Sequence, residues 1–231
     1  MPSSSVFIGI DVACAVGKRL PLCVVAADYP LMPLTIPKHL AGLIPRGVGN
    51  REIIAAAPFE ESARGVASAI ARIRDEMGWK VERIAVDAPA APPAKGSRAS
   101  EDQLGRLGLS SFRTPVATAW AGIREKCIDH LRLGGTAATL PHANKIWMLF
   151  GFKLFALLKG GLRAEVIEVY PFAIVRALLP SCQQQGYRDQ LNAVAARTGW
   201  EPPNLETRLK TTVSGSRHDR LDAFMAAWVA S

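Results

Sequence analysis

Val6-Phe-Ile-Gly-Ile-Asp11 is the stretch of this 231-residue sequence that decides the fold. It is an apolar run rich in β-branched residues that ends in an aspartate, a pattern typical of a buried β-strand. A second apolar run, from Leu20 to Ala27, follows a turn near Gly17, and the two runs together predict a β-hairpin. The sheet is therefore expected to begin with two antiparallel strands.

Strand and helix patterns alternate along the rest of the chain, which indicates an α/β fold. Three further strands are predicted, at Leu31 to Ile36, Val81 to Val86 and Ala164 to Val169, and the prolines around the first of them restrict it to a sheet edge. Helical spacing or capping predicts helices at 58–78, 99–107, 118–133, 145–159, 172–179, 187–198 and 216–231. We interpret residues 1–231 as one domain, in which the weakly patterned segment 91–144 is an insertion.

The composition excludes several classes of protein. Because 49% of the residues are hydrophobic and 21% are charged, the chain has enough apolar material for a core and is not intrinsically disordered. No apolar run approaches the roughly 20 residues that cross a bilayer. The four cysteines lack a C-x-x-C pair, so neither a disulfide scaffold nor a zinc site is expected. These cysteines are Cys14, Cys23, Cys127 and Cys182. The prediction is a cytoplasmic protein with reduced thiols and no membrane contact.

The basic charge of the chain is concentrated in one segment. The formal net charge is +8, and residues 91–164 contain 11 Lys and Arg against 4 Asp and Glu, which accounts for seven of those eight charges. Such a surplus attracts polyanions such as nucleic acid, while an ordinary solvated surface is the alternative. The candidate phosphate contacts are Lys95, Arg98, Arg106, Arg113, Lys145 and Lys153.

Acidic residues end three of the predicted strands. Asp11 and Asp87 come directly after apolar runs, and Glu168 lies one residue inside the end of its strand. Where such strands run parallel, their carboxyl ends share the sheet edge at which α/β proteins bind ligands. Helical spacing places Asp219 and Asp222 on one flank of the last helix, beside its apolar stripe. All five acids are therefore candidate catalytic residues at one edge of the sheet.

Clustered carboxylates repel one another unless a cation lies between them. Oxygen ligands without cysteine favour Mg²⁺ or Mn²⁺ over zinc, and two such ions about 4 Å apart can activate a water and stabilise a leaving oxygen in phosphodiester hydrolysis. A structural role is the alternative for each of these acids, and Asp222 can simply be an exposed acid of the last helix. Asp219 can form a capping box with Ser216, and Glu168 can pair with Arg163 or Arg176.

Short motifs occur in order along nearly the whole chain. They are Ile8-Gly-Ile-Asp11, Ile84-Ala-Val-Asp87-Ala-Pro89, Arg98-x-x-Glu101 leading into Phe112-Arg-Thr-Pro115, Val166-Ile-Glu168-Val-Tyr-Pro171, and His218-Asp-Arg-Leu-Asp222-Ala223. Together they resemble an uncharacterised prokaryotic family that is catalogued as a domain of unknown function and predicted to contain RNase H-like nucleases. The resemblance implies an RNase H-like mixed sheet of antiparallel and parallel strands flanked by helices, with an insertion between the fourth and fifth strands.

The resemblance also implies roles for the acids. The chain is similar to Holliday-junction resolvases in carrying an Asp-x-x-Asp pair on its last helix. By that likeness Asp11, Asp87 and Asp222 would be the primary metal ligands, with Asp219 or Glu168 completing the site. The implied function is a metal-dependent nuclease with a two-metal carboxylate site.

One departure from the RNase H pattern restricts the class of nucleic acid that the resemblance implies as substrate. RNase H enzymes that cut RNA–DNA hybrids usually carry an acid on the first helix that faces the site. Here the acids of that helix lie near its ends, at Glu60, Glu61, Asp75 and Glu76, so Glu168 would have to substitute. The prediction is therefore cleavage of a structured nucleic acid other than such a hybrid.

Two other functions are compatible with the same residues. Actin-like and sugar-kinase ATPases share the hairpin-plus-acid core, and Gly9-Ile-Asp11 with Lys18 fits an ATP-dependent phosphotransferase. Those proteins normally pair two such domains, and 231 residues leave room for only one with an insertion. The third interpretation is a non-catalytic nucleic-acid-binding module in which the acids are structural. Cleavage that needs Mg²⁺ but no nucleotide distinguishes a nuclease from both.

Overall fold

The structure is a computed structural model that describes residues 4–12, 16–26, 28–54, 57–109, 112–179 and 186–231. Its strands form a single five-stranded sheet in the order β3-β2-β1-β4-β5. The strands are β1 (Ser5–Asp11), β2 (Leu22–Ala26), β3 (Met32–Pro33), β4 (Lys80–Asp87) and β5 (Glu165–Glu168).

Helices cover both faces of this sheet. They are α1 (Lys38–Ala41), α2 (Gly49–Ile54), α3 (Ala57–Met77), α4 (Ala99–Arg106), α5 (Ala119–Arg132), α6 (Ala143–Gly161), α7 (Pro171–Leu178), α8 (Tyr187–Thr198), α9 (Pro202–Thr212) and α10 (Arg217–Ala230), with a turn of 3₁₀ helix at Ala137–Thr139. The predicted helices are all present. The sequence patterns did not predict α1, α2 or α9.

The pairing of the strands confirms the predicted mixed sheet. β1 and β2 form the antiparallel hairpin, with Phe7 opposite Val25, and β3 adds an antiparallel edge strand. β1, β4 and β5 are parallel, and Asp11 is the register partner of Asp87. The carboxyl ends of three strands therefore meet at one edge, as expected for a ligand site.

The side chains of β1 alternate between two packed layers. Val6, Ile8 and Ile10 lie in a core cluster with residues of α3 and α6, whereas the opposite face of the strand is covered by α10. Gly9 faces α10, and a Cβ atom there would lie 2.0 Å from the carbonyl oxygen of Ala223. Glycine is needed at this position because the helix backbone rests directly on the strand.

The segment 91–144 contributes to the main core. Trp120, Ile123 and Cys127 of α5 are buried, and they belong to the same apolar cluster as Ile8 and Ile10. The burial of apolar surface therefore anchors this segment on the α3/α6 side of the sheet.

Two of the four cysteines lie within the described residues. Cys23 and Cys127 are buried and free, as predicted for reduced thiols, while Cys14 and Cys182 lie outside the described residues. Among the described helices, none combines the length and the apolar character needed to cross a membrane.

Candidate active site

Asp11 and Asp87 lie side by side at the carboxyl ends of β1 and β4. They are register partners in neighbouring parallel strands, whose backbones are about 4.8 Å apart in such sheets. Gly9 and Ala85, two residues earlier, both face α10, since Ala85 packs with Ala226 of that helix. The two-residue alternation of strands therefore places both aspartates on the α10 side of the sheet edge.

α10 brings two further acids to this edge. Ser216 caps the helix, and Asp219 completes a capping box in which its Oδ2 accepts a hydrogen bond of 2.7 Å from the backbone N–H of Ser216. Asp222 follows one turn later. The structural role predicted as an alternative for Asp219 is thus present, while the role of Asp219 in catalysis stays a prediction.

Burial and mutual repulsion both raise the pKa values of these acids. Burial, followed by the charges of Asp87, Asp222 and Asp219, raises the pKa of Asp11 well above its ordinary value. Burial and then the charges of Asp222 and Glu168 raise the pKa of Asp87 in the same way. Burial and the charge of Asp219 raise the pKa of Asp222 to about 7. Each charge therefore makes its neighbours harder to ionise.

No basic side chain relieves this repulsion within the described part of the chain. Asp11, Asp87 and Asp222 have neither an ion pair nor a side-chain hydrogen bond to any described residue. The three side chains are half-buried, so each keeps contact with solvent although protein surrounds most of it. Buried carboxylates are normally paired, so unpaired acids of which Asp11 and Asp87 line a cavity are candidates for a functional site.

Glu168 lies on the other face of the sheet. Its register partner is Val86, which belongs to the apolar cluster on the α3/α6 side. The guanidinium of Arg98 donates to both carboxylate oxygens of Glu168, and the backbone N–H of Ala90 donates to Oε2 at 3.1 Å. Glu168 does pair with an arginine, as the structural alternative predicted. The arginine is Arg98, and not Arg163 or Arg176.

The motif around Arg98 joins separate parts of the structure through side-chain contacts. Glu101 of α4 accepts hydrogen bonds at its Oε1 from the backbone N–H of Thr114, at 3.0 Å, and from the hydroxyl of Thr114. Arg98 lies 3.7 Å from the same oxygen. The motif therefore links α4, the loop at 112–115 and β5, which positions Glu168 against the sheet edge.

The basic candidates differ in their surroundings. Lys95, Arg106 and Arg113 are exposed and Lys145 is half-buried, and among the described residues none of these four has an acidic partner. Arg98 is only 15% exposed and is neutralised by Glu168, so it is not available to a phosphate in this arrangement.

The remaining basic candidate, Lys153, is also paired. Its Nζ lies 3.0 Å from Oε2 of Glu60, which contacts Arg64 as well. This interaction ties α6 to α3 and occupies an acid of the first long helix. Glu60 is therefore engaged in a structural contact, in keeping with the departure from hybrid-cutting RNase H enzymes seen in the sequence.

Two cavities open at the sheet edge and share a wall. One, of about 570 Å³, is lined by Asp11, Asp87, Asn50 and the start of α6. The other, of about 520 Å³, is lined by Asp87, Glu168, α4 and α7. Trp147 lines both. Sequence patterns did not single out Asn50 or Trp147, because neither residue is part of a motif and each reaches the site only through the packing of its helix.

The acids do not converge on one point in this structure. Among the described residues, no three Asp, Glu, His or Cys side chains lie close enough together to hold a metal ion. A divalent cation would have to draw the carboxylates together.

The raised pKa of Asp222 predicts how stability depends on pH. An unfolded aspartate ionises near pH 3.9, whereas Asp222 in the folded protein does so at about 7. The free energy of unfolding in EDTA should therefore fall as the pH rises from about 4 to 7, by about 4 kcal/mol from this group. Urea unfolding of the wild type and of Asp222→Asn at several pH values measures this contribution. The variant should lack the part of the pH dependence that comes from ionisation of Asp222. A wild type that gains stability relative to Asp222→Asn across this window would contradict the prediction.

Comparison with known proteins gives a family. A family model described as "Protein of unknown function (DUF429)" matches residues 47–231, about four fifths of the chain. The match includes Asp87, Glu168, Asp219 and Asp222 but begins after the first hairpin and so leaves out Asp11. Neither the curated proteins nor the solved structures contain a match to the chain.

Proposed function

This chain belongs to DUF429, a family of proteins of unknown function, and we propose that it is a metal-dependent nuclease that hydrolyses phosphodiester bonds in structured nucleic acid. The observation that carries the proposal is the group formed by Asp11, Asp87 and Asp222. These acids lie at one sheet edge with raised pKa values and, among the described residues, without a basic partner. Folding alone gains nothing from such repulsion, so a cationic ligand is the simplest reason for it.

The donor set fits Mg²⁺ or Mn²⁺. All of the donors are carboxylate oxygens, which hard divalent cations prefer, and the described residues near them include no competing cysteine or basic partner. Asp11, Asp87 and Asp222 would hold the ion once their carboxylates lie closer together than they do in this structure. When bound, such an ion supplies the Lewis acidity that activates a water and stabilises a leaving oxygen.

The chain itself positions the ligands. Asp11 and Asp87 are fixed by paired strands, and α10 is held on β1 by the close contact at Gly9, so Asp222 approaches them on rigid elements. Arg98 holds Glu168 in place beside Asp87. The backbone that carries these carboxylates is therefore fixed by the sheet and by the contact of α10 with β1.

The charge of the chain supports nucleic acid as the substrate. Most of the net positive charge lies between residues 91 and 164, in the segment that separates Asp87 from Glu168. Within it, Lys95, Arg106 and Arg113 are exposed. Exposed cations beside a carboxylate centre attract the phosphate backbone to the residues that would cleave it.

A cleavage assay tests this proposal. The purified protein is incubated with labelled single-stranded, duplex and branched DNA and RNA in Mg²⁺, in Mn²⁺ and in EDTA, without any nucleotide. We expect cleavage of at least one substrate in Mg²⁺ or Mn²⁺ and none in EDTA. Because no ATP is present, such cleavage also distinguishes a nuclease from a phosphotransferase.

Two results would overturn the proposal. One is the absence of cleavage from the whole panel together with the absence of Mn²⁺ binding in calorimetry. The other is binding of nucleic acid that persists without any cleavage in either metal, which is the behaviour of a non-catalytic binding module.

A further inference from the structure

The cavity between α4, α7 and the ends of β4 and β5 is distinct from the acidic centre, although Asp87 lines both. We call it the aromatic cavity, and its lining includes Phe112, Tyr170, Ser100, Gln103 and Asp87. Its volume of about 520 Å³ lies within the range of about 300–1,000 Å³ that is typical of small-molecule sites. Neither Phe112 nor Tyr170 is used by the proposed cleavage chemistry.

Aromatic side chains form the rim of this cavity. Phe112 and Tyr170 meet edge to face with their ring centroids 6.4 Å apart, and Phe172, which does not line the cavity, lies 5.9 Å from Tyr170. Phe112 is 51% exposed and Phe172 is 46% exposed, so both keep large apolar surfaces in water. Aromatic rings held in this way offer faces on which another flat ring can stack.

The aromatic rim lies close to the acidic centre. Burial and, after it, the charge of Asp87 raise the pKa of Tyr170, which places the tyrosine within electrostatic range of that carboxylate. A molecule that stacks at the rim is therefore held next to the residue that the proposed reaction requires. A ligand that spans both positions has a flat ring at one end and a phosphate near the other.

Polar and basic groups complete the site. Ser100 and Gln103 line the cavity from α4 and can exchange hydrogen bonds with the edge of a heterocyclic base. Arg106, on the same helix, and Arg113, next to Phe112, are exposed. Neither of these two arginines lines the cavity, and the arginine that does, Arg98, is paired with Glu168. Aromatic rings for stacking, with exposed arginines nearby in the sequence, are a combination found in proteins that bind single-stranded nucleic acid.

We propose that the aromatic cavity binds an unpaired nucleobase of the strand whose backbone passes Asp87. The inference rests on the proposed function, since it takes nucleic acid as the substrate. A base inside a continuous duplex is stacked on both faces and cannot enter, so the substrate class is single-stranded, looped or branched nucleic acid. This deepens the proposed function by selecting among structured substrates.

Binding measured without cleavage tests the inference. Fluorescence anisotropy in EDTA compares the wild type on a labelled single strand and on its blunt duplex, and a 2-aminopurine base in the single strand reports stacking by loss of its emission. We expect at least tenfold tighter binding of the single strand and quenching of 2-aminopurine. Phe112→Ala should weaken binding of the single strand by about tenfold, because base stacking on one aromatic ring has effects of this size.

Matched variants separate stacking from general damage. Phe112→Trp keeps an aromatic face and should retain binding within about twofold of the wild type. Leu133→Ala removes an apolar side chain that is 88% exposed at the end of α5 and should leave binding unchanged. Thermal unfolding of each variant shows that the fold is intact, as the exposure of Phe112 leads us to expect.

The failures of the two proposals are distinguishable. Equal binding of single strand and duplex, unquenched 2-aminopurine, or wild-type affinity in Phe112→Ala would overturn the nucleobase site even if the protein cleaves DNA or RNA in Mg²⁺. Binding of the single strand that depends on Phe112, without cleavage in either metal, would leave the nucleobase site standing and overturn the nuclease.

Discussion

Replacing Asp87 by asparagine is expected to lower Mg²⁺-dependent cleavage by at least about a thousandfold, because metal ions contribute several kcal/mol to such reactions and each 1.4 kcal/mol is a factor of ten. Asparagine keeps the shape of the side chain but has no negative charge with which to hold a cation. Initial rates on the best substrate of the panel, measured at saturating Mg²⁺, check this expectation.

The same substitution should not harm the fold. Burial and the charges of Asp222 and Glu168 raise the pKa of Asp87, so removing its charge at neutral pH relieves repulsion. We therefore expect a melting temperature in EDTA equal to or above that of the wild type. Affinity for nucleic acid should stay intact or increase, because one negative charge that faces the phosphates is gone.

A control variant makes the loss of activity specific. Asp75→Asn removes the same charge at an exposed position of α3, where the carboxylate forms a surface ion pair of 2.7 Å with Arg74. Surface pairs of this kind contribute little, so cleavage should be unchanged. Retention of more than a tenth of the wild-type rate in Asp87→Asn would contradict the assignment of Asp87 as a metal ligand.

Long, periodic elements were predictable from the sequence. The predicted strands around β1, β2, β4 and β5 agree with the structure to within two residues at each end. Apolar runs rich in β-branched residues strongly favour the strand conformation. α1 and α2 were not predicted, since helices of four and six residues show hardly more than one turn of periodicity. α9 begins with Pro202 and Pro203, which break a helix elsewhere but are accepted in its first turn.

The acidic centre was predictable in part. Acids at the ends of two parallel strands must come together at the sheet edge, and this brought Asp11 and Asp87 to the same place. The face on which Glu168 lies depends on the register of β5 against β4, and no local pattern states that register. Its pairing with Arg98 depends on where α4 packs, which is a tertiary property.

The net charge of a segment does not show which of its basic side chains are free to bind an anion. Counting residues cannot distinguish an exposed arginine from one that is already neutralised. Arg98 and Lys153 contribute to the positive surplus of the segment 91–164, yet both are bound to acids in the fold. The candidate phosphate contacts without an acidic partner among the described residues are therefore fewer than the sequence suggests, and they are Lys95, Arg106, Arg113 and Lys145.

Replacing Gly9 by alanine is expected to destabilise the whole protein. The new Cβ atom would lie 2.0 Å from the carbonyl oxygen of Ala223 and 2.2 Å from the backbone nitrogen of Ala227, so α10 would have to move away from β1. Displacing a packed helix backbone costs about 3 kcal/mol or more, a large part of the roughly 5–15 kcal/mol that stabilises a typical domain. Urea unfolding should therefore show a midpoint far below that of the wild type.

The identical substitution at Gly122 is the matched control. Gly122 lies in the exposed interior of α5, and a Cβ atom there meets nothing within 4 Å, so Gly122→Ala should gain up to about 1 kcal/mol from helix propensity. Alanine is also intrinsically more favourable than glycine in a strand. A loss of stability in Gly9→Ala therefore measures only the steric clash of the new Cβ atom with α10. If Gly9→Ala unfolds at the wild-type urea concentration, α10 does not rest on β1 as described. The geometry that brings Asp222 to Asp11 and Asp87 would then be wrong as well.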